Sequence, residues 1–169
     1  GTSYPKYNAY DTALGKRDFV NDIKIQGMLF AALKFSDHPR ARVIKIDVSK
    51  ALSVYGVVKI ITAKDVPGNR KIGLIYNDWP LMIDEGEVTN YIGDVLAGVV
   101  ADSEETARDV VNKIVVEYDI LEPITDPFKA IEDKELVHGD HSNLLDNCVI
   151  KRGNIDEAFE KSKYITSGF

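Results

Sequence analysis

The stretch from residue 95 to 118 most constrains how this chain can fold. It opens with an unbroken apolar run at 95–101. A short, Val-rich run of this kind is typical of a strand that is buried on both faces. Asp102 is expected to cap a helix whose apolar residues recur at helical spacing. The β-branched run 114–118 predicts a second strand, so the stretch predicts a βαβ unit.

Patterns elsewhere in the chain predict further strands and short helices, and therefore an α+β fold. Alternating or continuous apolar runs predict strands, and Asp or Asn before an apolar periodic run predicts a helix start. The predicted strands lie at 28–35, 42–47, 57–62, 147–152 and, at the end of the chain, 164–169; the predicted helices lie at 10–14 and 48–54 and begin after Asp126 and Asn154.

The totals restrict the class of protein. The 169 residues, 44% of them hydrophobic, suit one domain, with two closely joined lobes as the alternative. A net charge of −6 argues against nucleic acid as a partner, because phosphates require a basic face. The sequence contains no apolar run of membrane-spanning length, which favours a cytoplasmic protein with no membrane contact. The abrupt end of the chain favours a piece of a longer protein.

The segment 67–92 is the longest irregular stretch, since Gly, Pro and Asn interrupt its apolar groups. Loops of this length carry function more often than they serve only as connections. Trp79 within it is interpreted as an anchor in a satellite core. Gly93, at its end, is expected to supply a backbone angle that other residues resist.

Several constellations could carry chemistry, and each has a structural interpretation that we favour. His138, His141 and Cys148 could ligate a metal, but their spacing matches no standard site, which favours a solvated loop. Cys148 lies in an apolar segment, which favours a buried, inert cysteine. The pair Asp37 and His38 could form an oriented base of a hydrolase, but the following proline favours a turn. The acidic residues at 85 and 87 are interpreted as solvated. No phosphate-binding glycine motif occurs, so the residues predict no catalytic, cofactor-binding or metal site.

Four ordered stretches nevertheless resemble one family. Residues 27–43 resemble its G-M-L-x-x-x-x-x-S-x-H-P-x-A-x-I, and residues 56–68 resemble its G-V-x-x-x-x-T-A-x-D-[IV]-P-G. Residues 91–97 are similar to Y-x-G-[DQ]-P-[VI]-A, followed by A-x-[ST]-x-E-x-A, and residues 153–159 are similar to G-D-[VI]-x-x-A-F. The family is that of xanthine dehydrogenase and aldehyde oxidase, the molybdenum hydroxylases.

The resemblance covers nearly the whole chain and places 1–169 as a single α/β hammerhead domain of the molybdopterin-binding subunit. It implies a mixed sheet with short helices packed on it. Residues 4–7 and 78–82 are most similar to the selenium-dependent xanthine dehydrogenase branch. Two positions depart from the motifs: Val95 stands where the family usually has Pro, and Asn154 where it usually has Asp.

The resemblance implies a non-catalytic role for this piece. The parent would hydroxylate a purine, a related heteroaromatic compound or an aldehyde, using water as the oxygen source. Its molybdopterin-bound molybdenum would lie in downstream domains, and its iron–sulfur clusters and FAD in associated domains or subunits. Those domains and subunits are the expected partners. Apolar faces that they would cover are expected to be bare in this piece, which favours self-association.

The resemblance also implies one functional loop. The family's hammerhead domain lends a loop to the mouth of the substrate funnel, and the matching stretch here is 73–78. We therefore expect Leu74, Ile75 and Tyr76 to be substrate-channel residues, because an apolar wall suits a flat heteroaromatic substrate. Two alternatives remain: the three residues form only a satellite core, or the chain is a stand-alone module that binds a small ligand or a protein partner.

Overall fold

The structure, a computed structural model, describes residues 1–139 and 141–168. The chain divides into two compact units, the first being Gly1–Pro123 and the second beginning at Ile124. Within the described residues, none of the helices has the length and apolar composition that crossing a bilayer requires.

The first unit contains most of the regular structure. Its helices are α1 (Ala9–Ala13), α2 (Ser49–Leu52) and α3 (Glu104–Val111), and its strands are β1 (Phe30–Phe35), β2 (Ala41–Asp47), β3 (Val57–Thr62), β4 (Lys71–Ile72), β5 (Trp79–Pro80), β6 (Val95–Ala101) and β7 (Val115–Ile120). The α+β class is therefore confirmed.

β6 is the central strand of the core. It lies between β1 and β3 in a three-stranded sheet, and both neighbours pair with it in antiparallel direction. Ala97 and Val99 on one face pack with Val110 and Ile114, from α3 and the turn after it. Leu96 points to the opposite face, as neighbouring strand residues do, and packs with residues of β2 and the 80s segment. The prediction of a strand buried on both faces is confirmed.

The predicted βαβ unit is wrong, because β7 does not join the sheet of β6. It pairs instead with β2 in a separate antiparallel ribbon. Both edges of β6 are occupied by β1 and β3, so β6 offers no free edge to β7. The named strand pairings in the described residues are antiparallel, and this corrects the expectation of a mixed sheet to one of small antiparallel sheets.

The cap of α3 is also one residue later than predicted. The Ser103 hydroxyl, and not the Asp102 carboxylate, accepts the hydrogen bond of the Thr106 amide, at 3.1 Å. Asp102 instead lies against Gly56, whose carbonyl accepts from the Asp102 amide at 3.0 Å. Gly56 has φ +89, and a Cβ there would lie 2.7 Å from the Asp102 carboxylate, so glycine is required for this close approach.

The described residues of the second unit form the helices α4 (Pro127–Ala130) and α5 (Ile155–Lys161). Asp126 and Asn154 cap them through side-chain oxygens, so both predicted helix starts are confirmed. The predicted strand at 147–152 does not form, nor does one over 164–168; Phe169 lies outside the described residues. Cys148 is exposed rather than buried, because no neighbouring strand pairs with its segment to cover it.

Candidate functional site

The irregular segment 67–92 contains a short hairpin that presents the candidate residues. β4 and β5 pair through Lys71 with Pro80 and Ile72 with Trp79, and loop 73–78 joins them. A Cβ at Gly73 would lie 1.6 Å from the Tyr76 carbonyl oxygen. Glycine is therefore what lets the loop fold back on itself at this point.

Loop 73–78 carries an exposed apolar tip, which consists of Leu74, Ile75 and Tyr76. Leu74 is fully exposed, Ile75 is 59% exposed and Tyr76 is 41% exposed. A fully exposed leucine is not part of a satellite core, so that alternative is wrong for Leu74. Three adjacent apolar side chains at the end of a hairpin form a surface suited to a ligand or to another protein surface.

Arg70 and Glu87 brace the base of the hairpin. Two guanidinium nitrogens of Arg70 contact the two carboxylate oxygens of Glu87, at 2.7 and 3.0 Å. The Arg70 guanidinium also donates to the Met82 carbonyl at 3.1 Å. This bidentate bond from Arg70 holds the pKa of Glu87 below its ordinary value of 4.5. The sequence does not reveal the pair, since the two residues lie 17 positions apart and follow no periodic pattern.

Aromatic contact supports the other strand of the hairpin. Trp79 meets Tyr91 edge to face, with ring centroids 5.9 Å apart, and more than half of the Trp79 surface remains exposed. The satellite-core interpretation of Trp79 is therefore wrong. Gly93 has φ +146, as predicted, and a Cβ there would lie 2.3 Å from the Tyr91 ring. Gly93 thus makes room for the ring on which Trp79 rests.

Both glutamates near this hairpin make specific hydrogen bonds; Glu85 is exposed, as its interpretation as a solvated side chain predicts, whereas Glu87 is partly buried. Glu85 accepts from the Ile46 amide at 2.9 Å and from the Lys64 ammonium at 3.2 Å. The amide bond from Ile46, followed by the bond from Lys64, lowers the pKa of Glu85. Glu87 is held by Arg70 as described above. Both carboxylates therefore connect backbone segments and are not poised as an acid–base pair.

The pair Asp37 and His38 forms a turn, as the favoured interpretation predicts. The Asp37 carboxylate accepts from the Lys34 ammonium at 3.0 Å and does not orient the His38 ring. That ring meets Tyr118 edge to face at 4.9 Å. The Ser36 hydroxyl donates to the His38 carbonyl at 2.7 Å, which closes the turn. The geometry therefore does not support the hydrolase alternative.

Comparison with known proteins assigns the family. The family model described as "Aldehyde oxidase and xanthine dehydrogenase, a/b hammerhead domain" matches residues 14–122. The chain belongs to this family. The resemblance inferred from the sequence motifs is therefore confirmed, and the hairpin lies inside the matched hammerhead region.

Two curated relatives and one solved structure illustrate the match. The chain is 32% identical to a probable xanthine dehydrogenase subunit of Bacillus subtilis, over 88% of this chain and 20% of that protein. It is 30% identical to the nicotinate dehydrogenase large molybdopterin subunit of Eubacterium barkeri, over 95% of this chain and 37% of that protein. The aldehyde oxidoreductase of Desulfovibrio gigas superposes with a TM-score of 0.76 at 30% identity, over 84% of this chain and 17% of that one.

The chain spans 20% and 37% of the length of those two curated relatives. The two departures from the family motifs are accommodated locally. Val95 begins β6, and its carbonyl accepts from the Ile83 amide at 2.8 Å. Asn154 caps α5 as the usual Asp would, because the two residues are equivalent as helix caps.

Two features of the described residues bear on the molybdenum cofactor that the family implies: the arrangement of possible metal ligands and the start of α3. Among residues 1–139 and 141–168, no three His, Cys, Asp or Glu side chains converge to hold a metal. The rings of His138 and His141 stack with centroids 5.4 Å apart, and Asp140 between them lies outside the described residues. At the start of α3, Glu104 and Glu105 repel an anionic phosphate. The described side chains therefore supply no ligand set for a metal, and the start of α3 does not suit an anionic phosphate.

Proposed function

We propose that this chain is a non-catalytic hammerhead domain of a cytoplasmic molybdenum-dependent hydroxylase and that its apolar tip lines the substrate channel. Leu74, Ile75 and Tyr76 contact the substrate on its way to a reaction centre in other domains. The single cysteine of the chain is in keeping with a reducing compartment. The fully exposed Leu74 at the end of a braced hairpin is the observation that carries the proposal.

The physical support for the channel role is the exposure of the tip on a hairpin whose base is held by hydrogen bonds. A water-exposed leucine leaves apolar surface uncovered, and covering it with a ligand or a neighbouring domain is favourable. Substrate pockets are lined mainly by apolar and aromatic side chains, and the tip supplies two aliphatic groups and one aromatic ring. The tip can therefore guide a flat heteroaromatic compound through apolar contacts, without the tight binding that a charged site would give.

The parent enzyme follows from the family and from the names of relatives. One relative is named as a molybdopterin subunit and another as a xanthine dehydrogenase subunit, so we propose a molybdopterin-bound molybdenum centre in downstream domains of the parent. Iron–sulfur clusters and FAD are proposed for its associated domains or subunits. The parent substrate is proposed to be a purine, a related heteroaromatic compound or an aldehyde. Residues 4–7 and 78–82 support the selenium-dependent xanthine dehydrogenase branch, and hence a purine.

The other exposed apolar side chains support docking against those downstream domains. Several lie outside the apolar tip: Leu29, Leu33, Phe35 and Val58 on the three-stranded sheet or its approach, Trp79 in β5 of the hairpin, and Ile92. Large uncovered apolar surface marks sites of protein contact. We propose that the cofactor-holding domains cover part of this surface and that its exposure in the separate chain leads to self-association.

The channel proposal is tested in the full-length holoenzyme by truncating the tip. Leu74→Ala and Tyr76→Ala are expected to change kcat/KM by about three- to tenfold, and unequally for xanthine, nicotinate and an aromatic aldehyde. This change in kcat/KM should be smaller than the change caused by removing a contact in a closed pocket, because a channel residue contacts the substrate only while it passes.

The matched controls are Leu52→Ala in α2 and Tyr55→Ala in the turn after it, since both side chains are more than half exposed and lie outside the hairpin. Steady-state kinetics on the same substrates should show no change for either control. If both tip variants also leave kcat/KM unchanged for every substrate, the apolar tip does not line the channel.

A further inference from the structure

The base of the hairpin depends on Arg70 in two ways. Its backbone carbonyl accepts from the Leu81 amide at 2.7 Å, which closes the hairpin beyond the two ladder pairs. Its guanidinium makes the bidentate contact with Glu87 and the bond to the Met82 carbonyl. Because a two-stranded hairpin of this length is marginal by itself, these external bonds decide where its tip lies.

Glu87 connects this side chain to the buried core. Its carboxylate also accepts from the Asp84 amide at 2.8 Å, so its orientation is set by the turn that contains it. Its backbone carbonyl accepts from the amide of Val43 at 2.9 Å, and Val43 in β2 is completely buried. A continuous path of hydrogen bonds therefore runs from the hairpin, through Arg70 and Glu87, to a core strand.

We propose that Arg70 and Glu87 are positioning residues that hold the apolar tip at a fixed place relative to the hammerhead core. The inference rests on the proposed channel function, because the tip is the part whose position matters. The two side chains are 31% and 36% exposed, so solvent screens their contact only in part. Neither residue touches the reacting atoms, and their effect on turnover is transmitted through the position of Leu74 and its neighbours.

A second ion pair in the same unit provides a matched control. Arg108 and Glu104 in α3 approach to 2.7 Å, the same distance as Arg70 and Glu87, but they are 73% and 56% exposed. They lie four residues apart on one helix and do not connect separate segments. An exposed ion pair of this kind contributes little to the free energy of unfolding. Arg108→Ala therefore removes an arginine and its ion pair without touching the path to the hairpin.

Hydrogen exchange of the hairpin amides measures the positioning directly. In the full-length holoenzyme, Arg70→Ala should raise the exchange rate of the Leu81 amide about ten- to hundredfold, as expected when a charge-assisted, partly buried contact is lost. Arg70→Lys, which keeps the charge and loses the planar fork, should give an intermediate rate. Arg108→Ala should leave the rate unchanged. An unchanged rate in Arg70→Ala overturns the inference.

Kinetics of a double-mutant cycle show whether the position of the tip is what matters. Arg70→Ala should shift the preference among xanthine, nicotinate and an aromatic aldehyde in the same direction as Leu74→Ala. In the double variant the two effects should not add, because Arg70 acts through a side chain that is already truncated. Full additivity overturns the positioning role, even where the single variants lose activity.

The outcomes separate this inference from the channel proposal. If Leu74→Ala changes substrate preference and Arg70→Ala does not, the positioning inference is wrong and the channel proposal stands. If Leu74→Ala has no effect while Arg70→Ala accelerates exchange, the brace exists but the channel proposal fails. Should Arg70→Ala not fold, Glu87→Gln replaces it, because the amide keeps the shape and one acceptor while losing the ion pair.

Discussion

At the scale of single residues, the segment 67–92 contains both tightly packed positions and fully exposed ones. Gly73 and Gly93 let backbone or an aromatic ring approach closely, as the contacts of a hypothetical Cβ show. By contrast, the whole side chain of Leu74 is exposed to solvent. Between these extremes, the carboxylate of Glu87 binds Arg70 and the Asp84 amide. The negative charge of Glu87 therefore stabilises the base of the hairpin, and protonation of this carboxylate in acid should weaken its contact with Arg70.

The Arg70–Glu87 contact predicts a pH dependence of hairpin order. Because the folded-state pKa of Glu87 lies below the ordinary value of 4.5, its contribution is complete above that value and is lost as pH falls through the lowered pKa. Arg70 stays charged throughout, and nearby Lys71 also favours the carboxylate. Exchange of the hairpin amides, corrected for intrinsic rates, should therefore rise on acidification below pH 4.5.

The control for this dependence is Glu87→Gln, which removes the titrating group and keeps its shape. In that variant the corrected exchange rates should be high already at neutral pH and should change little on acidification. The same pH dependence in wild type and Glu87→Gln would show that another group is responsible.

At the scale of elements, α3 begins at the Ser103 hydroxyl cap and is positioned by packing against the three-stranded sheet. The Ser103 hydroxyl accepts from the Thr106 amide, and Ala107 and Val110 are buried on the helix face toward β6. The acidic residues of the first turn add a favourable interaction with the helix dipole. The adjacent Asp102 belongs to the contact with Gly56. Ser103 therefore caps α3, whereas Asp102 contacts Gly56, and substituting each residue separately can distinguish these two roles.

Replacing Ser103 by Ala should destabilise the chain by about 1 kcal/mol, since an amide at the start of α3 loses its acceptor. Urea unfolding of the chain should show a lower midpoint with an unchanged slope. Asp102→Asn, the control, keeps the shape beside Gly56 and should stay within about 0.5 kcal/mol of wild type. The reverse order of the two effects would mean that Asp102 is the cap.

At the scale of the whole molecule, the chain combines a buried core with extensive exposed apolar surface. Its first unit holds a buried core around β6, while many large apolar side chains remain exposed. Its described residues include no cluster of metal-ligating side chains. The proposed division of labour therefore places chemistry in downstream domains and leaves substrate passage and docking to this one.

The 169-residue chain purified alone is expected to retain no molybdenum or molybdopterin and to catalyse no oxidation of purines or aldehydes. The expectation rests on the proposed placement of the cofactor in downstream domains and agrees with the lack of a metal-ligand cluster among the described residues. Metal analysis, pterin fluorescence after oxidation and dye-reduction assays measure the three properties. The full-length holoenzyme, assayed in parallel, is the positive control. Stoichiometric molybdenum or measurable turnover in the purified chain would contradict the non-catalytic role.

Local patterns explain which features the sequence predicts correctly. The apolar run of β6, the helix caps Asp126 and Asn154 and the backbone angle at Gly93 are all confirmed. Each depends on residues within a few positions of one another. The family motifs likewise consist of short local runs, which is why they identify the hammerhead domain before its structure is considered.

By itself, then, the sequence determined most of the elements of the first unit, the two helix starts of the second, the family and the apolar character of loop 73–78. Only the tertiary structure decided that β7 pairs with β2, that Cys148 is exposed and that Arg70 meets Glu87. The physical reason is that strand partners, burial and distant ion pairs depend on which edges and surfaces other segments leave free. Propensity and periodicity describe a segment, whereas those outcomes result from competition among all segments for the same neighbours.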